Sequence, residues 1–420
     1  MSTLSEKKKT FFKYFLTVIV VFSTDAYITF SNLNVTVKKI FQFALILSAA
    51  IMFVISFGKG KRSSRLIKAF SFMVFFIGIS MIINRDFSKS MIFKIIVIFF
   101  GASYVSVFSF KEFRLCYVRV MKIVAIYSIV VLALSPFILK IPFLPHIRNG
   151  YSEVVFCGLT NLASGTARWR NWGPFWEPGV YQIYLCLALL FTLYDNNSKL
   201  FTVIVFVVAI LSTLSTSGVI CLIVISVSYF LSGEKTLSSG YARLNNRKRA
   251  CLYFIGFLSV CVFLYACYSF NLLAVIFEKL SPASERFEST QSRLYSTYAD
   301  FYIFMRHPLG VGSVKLSDLF DEYMLMKGIT VYSNSNGLLT NFAMFGIGSG
   351  VIYLILLYRL SLFFTKNKFS NVIIFFVFIL MLFSEPLQHS ALFNMIIFYG
   401  AVKQKNPIKT EKKLCGIKQE

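Results

Sequence analysis

Histidine, acidic side chains and outward-facing cysteine are scarce in this 420-residue chain, and each shortage removes a class of function. The three histidines, His146, His307 and His389, lie far apart, no Asp-x-Asp pair occurs and no cysteine spacing resembles a metal site. The chain is therefore expected to work without a metal ion or other cofactor. Of eight cysteines only Cys157 falls in a stretch read below as an outer loop, so a disulfide framework is not expected. The Lys7–Lys9 run precedes a hydrophobic stretch with no small-residue cleavage site, so the first crossing is expected to serve as its own insertion signal. Nor do the short basic loops carry a nucleotide-binding signature, which argues against an ATP-driven transporter or a cytoplasmic enzyme.

Asp and Glu number 18 against 43 Lys and Arg, a net charge of +25 that would suit a nucleic-acid binder if the bases of the charge lay on one face. Their positions say otherwise. Hydrophobic residues make up 57% of the chain, with 48 Phe, and the mean hydropathy is +0.70, too apolar for soluble domains of this length. The apolar residues come in nearly uncharged blocks long enough to cross a hydrocarbon core, where only helices and closed barrels satisfy their backbones. Twelve crossings are predicted: 14–30, 40–57, 69–83, 91–110, 121–139, 180–194, 200–214, 218–231, 251–270, 337–358, 371–383 and 391–402. Both termini then share one side. That side holds twice as many basic residues as the other, in short loops such as Lys59, Lys61, Arg62, Arg65 and Lys68, so the termini are expected in the cytoplasm. The basicity is a topology signal, and nucleic acid is not an expected partner.

The predicted fold class is all-α, a polytopic transmembrane helical bundle with two long outer loops. Residues 1–139 form N-terminal transmembrane helices, 140–179 a first large outer loop, 180–270 central transmembrane helices, 271–336 a second large outer loop, and 337–420 C-terminal transmembrane helices with a basic tail. Loops of that length are uncommon without a function. In the second, Leu294, Tyr298, Phe301, Tyr302 and Met305 recur at helical spacing between Arg293 and Arg306, predicting an amphipathic helix along the membrane surface. His307, Pro308, Gly310 and Gly312 then stop it. At the centre of 200–231, Ser212, Thr213, Ser215, Thr216, Ser217 and Gly218 divide the apolar run into two short helices; their hydroxyls either line a polar cavity or bond their own backbones.

The densest chemistry sits at 168–179, R-W-R-N-W-G-P-F-W-E-P-G, which holds all three tryptophans. Proline and glycine suit it to a rigid loop. Arg168 and Arg170 are suited to gripping a diphosphate through paired hydrogen bonds, and Trp169, Trp172 and Trp176 offer faces for sugar rings. Glu177, among apolar neighbours, is a candidate general base.

Arg170, Gly173, Phe175, Glu177 and Pro178 resemble the signature of the bacterial O-antigen polymerase and O-antigen ligase superfamily, and Arg168 with Gly179 resembles an Arg-to-Gly spacing of the polymerases. Arg293, the run His307-Pro308-Leu309-Gly310-Val311-Gly312, and Asn336 ten residues before Gly346-Ile347-Gly348 follow in the expected order. Ligases usually carry His just before that Asn, where this chain has Ser335, and the second loop lacks a matching Arg-to-Gly spacing. The resemblance thus implies a glycosyltransferase of the bacterial inner membrane, moving a growing glycan from undecaprenyl diphosphate onto a lipid-linked repeat unit at the periplasmic face. It implies Arg168, Arg170 and Arg293 as diphosphate ligands, Glu177 or His307 as base, and Asn336 as a substrate contact. Membrane lipids would surround it, with a chain-length regulator and a flippase as accompanying proteins. The rival readings are a ligase that moves finished glycan to lipid A-core and a lipid-linked oligosaccharide flippase.

Overall fold

The computed structural model describes residues 6–30, 35–58, 64–138, 146–149, 152–155, 160–163, 170–195, 199–232, 287–329 and 334–402. The expected span 251–270 lies outside them, as do Arg168, Trp169 and the basic tail. Helices run through Glu6–Phe22 (α1), Tyr27–Phe30 (α2), Val35–Gly58 (α3), Ser64–Asn84 (α4), Lys89–Val107 (α5) and Phe110–Ile138 (α6). After the first long loop come Pro178–Leu193 (α7), Leu200–Ser212 (α8) and Thr216–Leu231 (α9). Then follow Phe287–Arg306 (α10), Ser313–Met326 (α11), Gly337–Ser361 (α12), Lys368–Ser384 (α13) and Ala391–Ile396 (α14), the last continuing as a 3-10 turn, Ile397–Ala401.

Among the described residues, α3, α4, α5, α6 and α12 are long and apolar enough to cross a membrane. Their outward faces are apolar as well: Phe43 is 65% exposed, Val54 69% and Ile82 70%. In water this would be a very large apolar patch, whereas against hydrocarbon it is the solvated face. The protein is membrane-embedded. By contrast α7 is buried at every position from Pro178 to Leu193 and packs against α6, α8 and α9, as a helix apolar all round must.

Two expectations need correction. First, the long loop 140–179 of this helical bundle is not wholly irregular: His146–Asn149 (β1), Ser152–Val155 (β2) and Thr160–Ala163 (β3) form an antiparallel meander, with Asn149 opposite Ser152 and Val155 opposite Thr160. Gly150 and Tyr151 separate Asn149 from Ser152 in the sequence, a two-residue spacing with a leading glycine that is a hairpin signal. Second, the predicted crossing 14–30 is broken, because α1 ends at Phe22 and the chain bends through Ser23–Asp25. Ala26 there makes a β-bridge with Phe175, and the Tyr27 amide donates to the Pro174 carbonyl at 2.9 Å, tying the first helix to the signature loop.

The amphipathic helix is present as α10. Leu294, Tyr298, Phe301 and Met305 are all at least half exposed, while Ser296, Ala299, Asp300 and Ile303 are buried against the bundle. The apolar stripe therefore faces outward, as for a helix lying at a lipid surface. Past His307, the chain docks on α12, where Gly346 (φ 83) breaks the helix. The break frees the Ala343 and Met344 carbonyls, which accept from the Val311 and Gly312 amides at 2.9 and 3.1 Å. A Cβ on Gly310 would stand 2.6 Å from the Gly346 nitrogen, so the Gly310 and Gly346 motifs are two halves of one close-packed joint.

The joint is clamped by Asp86, whose Oδ2 accepts the Ser313 and Val314 amides at 2.5 and 3.1 Å and thereby caps α11 from another element. Burial alone would raise the Asp86 carboxyl, but hydrogen bonds from Ser88 and from the Val314 and Ser313 amides hold it below the usual carboxylate range. A carboxyl so depressed stabilises the fold above its unfolded pKa, and that stabilisation is lost as pH falls through the folded value. Asp86→Ala is thus expected to cost about 1–2 kcal/mol at neutral pH. In thermal melts the gap from the parent protein should narrow below about pH 4; a gap independent of pH would show that the carboxylate charge is not what clamps α11.

Intramembrane Lys94 is fully buried and donates to Asn341 Oδ1, the Gln388 carbonyl and Asn394 Oδ1 at 3.1, 2.5 and 2.7 Å, with its ammonium 5.0 Å from the Phe345 ring centre. It staples α5 to α12 and α14. Its donors are spent on the fold.

Candidate active site

The signature loop is rigid for reasons visible residue by residue. Asn171 donates to Ser128 Oγ and Ser212 Oγ at 3.1 and 3.0 Å, and its Oδ1 accepts the Gly173 amide at 3.0 Å. Gly173 sits at φ 53, and a Cβ there would meet the Tyr181 ring at 2.7 Å. Phe175 is fully buried, stacked on Tyr181 with ring centres 5.3 Å apart and tilted against Tyr184 at 4.4 Å. Arg170 Nε donates to the Thr213 carbonyl at 3.1 Å. The hydroxyl cluster between α8 and α9 is therefore the platform on which Arg170 and Asn171 rest, and Ser212 and Thr213 also bond carbonyls of their own helix at 2.7 Å.

Pro178 occupies the first helical position of α7, where its missing N–H costs nothing. Glu177 is the N-cap residue, yet its carboxylate makes no cap bond. It faces α10 instead, where Arg293 Nη2 lies 3.9 Å from Glu177 Oε1 and 2.9 Å from Glu385 Oε1, while Nη1 donates to the Ser384 carbonyl at 3.0 Å. One guanidinium thus stands between two carboxylates.

Glu385 comes from the turn between α13 and α14. Its side chain is 2% exposed, against 33% for Glu177. The Gly337 amide donates to the Glu385 carbonyl at 3.1 Å, and a Cβ on Gly179 would fall 1.8 Å from Glu385 Oε1, so glycine at 179 is what lets the carboxylate lie beside the first turn of α7. Burial first, and the Glu177 charge second, push the Glu385 carboxyl up to about 8 against the opposing pull of Arg293 and Arg170. Burial also holds the Arg170 guanidinium below its usual value, with Glu177 opposing.

Glu177, Arg293 and Glu385 open onto a cavity of about 700 Å³, within the range of small-ligand sites. Asp25, Lys38, Trp176, Glu177, Arg293 and Glu385 line it, with neutral polar groups from Asn334, Ser335, Gln388 and His389. Asp25 accepts from Tyr184 and Thr24 at 2.5 and 2.9 Å, which fixes it on the wall. His389 is pushed down to about 3 by burial and by the Lys94 ammonium, so its imidazole is neutral; its Nε2 is 3.2 Å from Ser90 Oγ.

Of the residues singled out from sequence, Glu177, Arg293 and Trp176 are brought together here, and Arg170 lies outside the lining but near enough for its charge to act on Glu177 and Glu385. His307 is not among them. It follows the last residue of α10, fourteen positions on from Arg293, a helical rise of roughly 21 Å. Trp172 does not line the cavity, and its buried Nε1 has no hydrogen-bond partner among the described residues. Asn336 is fully buried and serves as the N-cap of α12: its Oδ1 accepts the Leu338 and Leu339 amides at 3.1 and 3.0 Å and its Nδ2 donates to Thr297 at 3.1 Å. Its neighbours Asn334 and Ser335 reach the cavity in its place. Asn334 in turn donates to Asp300 at 2.7 Å, whose carboxyl burial pushes up to about 7 against hydrogen bonds from Thr340 and Asn334. Glu385 and Asp25 were not singled out as site residues, although an acidic side chain in an otherwise apolar stretch is itself a signal.

Compared with protein-family models and with curated proteins, the chain matches none.

Proposed function

We propose that the chain is a glycosyltransferase of the bacterial inner membrane, with both termini cytoplasmic, that polymerises a surface polysaccharide. It transfers a growing glycan from undecaprenyl diphosphate onto a lipid-linked repeat unit at the periplasmic face, in the manner of an O-antigen polymerase. The observation that carries this reading is the meeting of Glu177 and Arg293, with the Arg170 charge close by, at a cavity bounded by an amphipathic helix whose apolar stripe faces outward.

The chemistry fits those groups. A lipid diphosphate is a good leaving group, so the enzyme needs cations where charge develops and a base where the acceptor hydroxyl loses its proton. Arg293 and Lys38 are cations of the cavity lining, and Arg170, held on the Thr213 carbonyl, adds a fixed positive charge near Glu177 and Glu385. Trp176 offers an aromatic face for a sugar ring. A carboxylate of the Glu177–Glu385 pair takes the proton. The outward stripe of α10 holds the site at the depth where a lipid-linked substrate presents its head group.

The test is extension of lipid-linked repeat units by the purified protein in detergent. The parent protein should give a glycan ladder with no sealed compartment, and Arg170→Ala should shorten it at normal protein level. Transfer of finished glycan to lipid A-core, without ladder formation, would make the protein a ligase. Movement of the repeat across vesicles with no bond formed would make it a flippase.

A further inference from the structure

Two carboxylates face one guanidinium, and the arrangement distinguishes them. Glu177 is one-third exposed and lies 3.9 Å from Arg293, whereas Glu385 is 2% exposed and in direct contact at 2.9 Å. We propose, resting on the glycosyl-transfer reading above, that Glu385 rather than Glu177 takes the acceptor's proton, and that a diphosphate docking on Arg293 is what frees it to do so.

The charges around Glu385 make the coupling. Arg293 faces it from α10, Arg170 and Glu177 from the signature loop, and Asp25 and Lys38 line the same cavity with neutral His389. Before substrate arrives, Arg293 is shared by two carboxylates. A diphosphate brings at least two negative charges and a denser set of acceptor oxygens, so the guanidinium turns toward it. Glu385 then keeps its desolvation and the repulsion of Glu177 but loses its closest counter-ion. Its affinity for a proton rises at the moment the donor is in place.

In the step itself, an oxygen lone pair of the acceptor hydroxyl forms the bond to the anomeric carbon while its proton passes to the Glu385 carboxylate. The bond from that carbon to the diphosphate oxygen breaks, and its electron pair leaves on the lipid diphosphate. When the product departs, Arg293 returns to Glu385 and the proton is lost to water in the cavity. Glu177, one-third exposed and 3.9 Å from Arg293, holds that guanidinium in place between turnovers.

Difference infrared spectra of the purified protein in nanodiscs read the proton directly, with inorganic pyrophosphate as the diphosphate probe. At about pH 9, above the substrate-free value of Glu385, a protonated-carboxyl band should grow when pyrophosphate is added, should vanish in Glu385→Gln and should persist in Glu177→Gln. A band that survives Glu385→Gln, or that does not respond to pyrophosphate, overturns the proposal. In the extension assay Glu385→Gln should lose about 100-fold or more in kcat with little change in KM. If Glu385→Gln extends glycan as fast as the parent protein, the assignment to Glu385 fails and the polymerase reading stands. If the band behaves as stated but no protein extends glycan, the polymerase reading fails while the proton site remains.

Discussion

Arg293→Ala is expected to lower the rate of glycan extension roughly 100- to 1,000-fold, the usual consequence of removing one preorganised group that meets charge developing in the transition state. The guanidinium is the group best placed for this, because it is more than a third exposed to the cavity and already poised between two anions. Removing it also leaves the Ser384 carbonyl without that donor, and Glu385 without its counter-ion. Glu385 can respond by keeping a proton, so the fold should survive and the loss should appear in kcat. Arg293→Lys keeps the charge but not the forked geometry, and should recover only part of the activity. Rates measured with purified protein, beside thermal melts of the same samples, separate the two effects. A variant that melts normally and extends glycan at the parent rate would falsify the role given to Arg293.

How much of this site was legible depends on how local its contacts are. The signature loop could be recognised from twelve consecutive residues, because proline, glycine and aromatic side chains constrain one another within a few positions. The end of α10 at His307-Pro308 and its outward apolar stripe followed from periodicity and helix-stop signals in the same way. Glu385 is different. Its partners are Arg293 on α10 and Gly179 on α7, so its role depends on three segments that only the folded bundle brings together. Asp25 likewise gains its place from Tyr184, 159 positions away. His307 was singled out through the run 307–312, which in the fold ends α10 and docks on α12, with the length of the helix between it and Arg293. Asn336 was found by its spacing to Gly346, but that spacing reports how α12 begins and where it kinks.

Gly179→Ala should abolish most activity while leaving the bundle folded. The added methyl carbon would lie 1.8 Å from Glu385 Oε1, an impossible distance, so one of the two must move. The α7 backbone cannot, because every residue around it is buried and its first turn is set by Pro178. The Glu385 backbone is held too, by the Gly337 and Leu387 amides at 3.1 and 2.8 Å from its carbonyl. What remains is rotation of the carboxylate out of its slot and away from Arg293. A displacement of about 1 Å in a reacting group can cost about 100-fold in rate, and the shift required here is larger. Gly337→Ala is the instructive contrast. Its Cβ would meet the Leu387 amide nitrogen at 2.5 Å and the Glu385 carbonyl at 2.7 Å, both backbone, so that variant should fall in yield and melting temperature as well as in activity. If Gly179→Ala instead melts with Gly337→Ala, the glycine serves helix packing alone. If it is stable but slow, Gly179 marks the slot that seats a carboxylate from the far end of the chain.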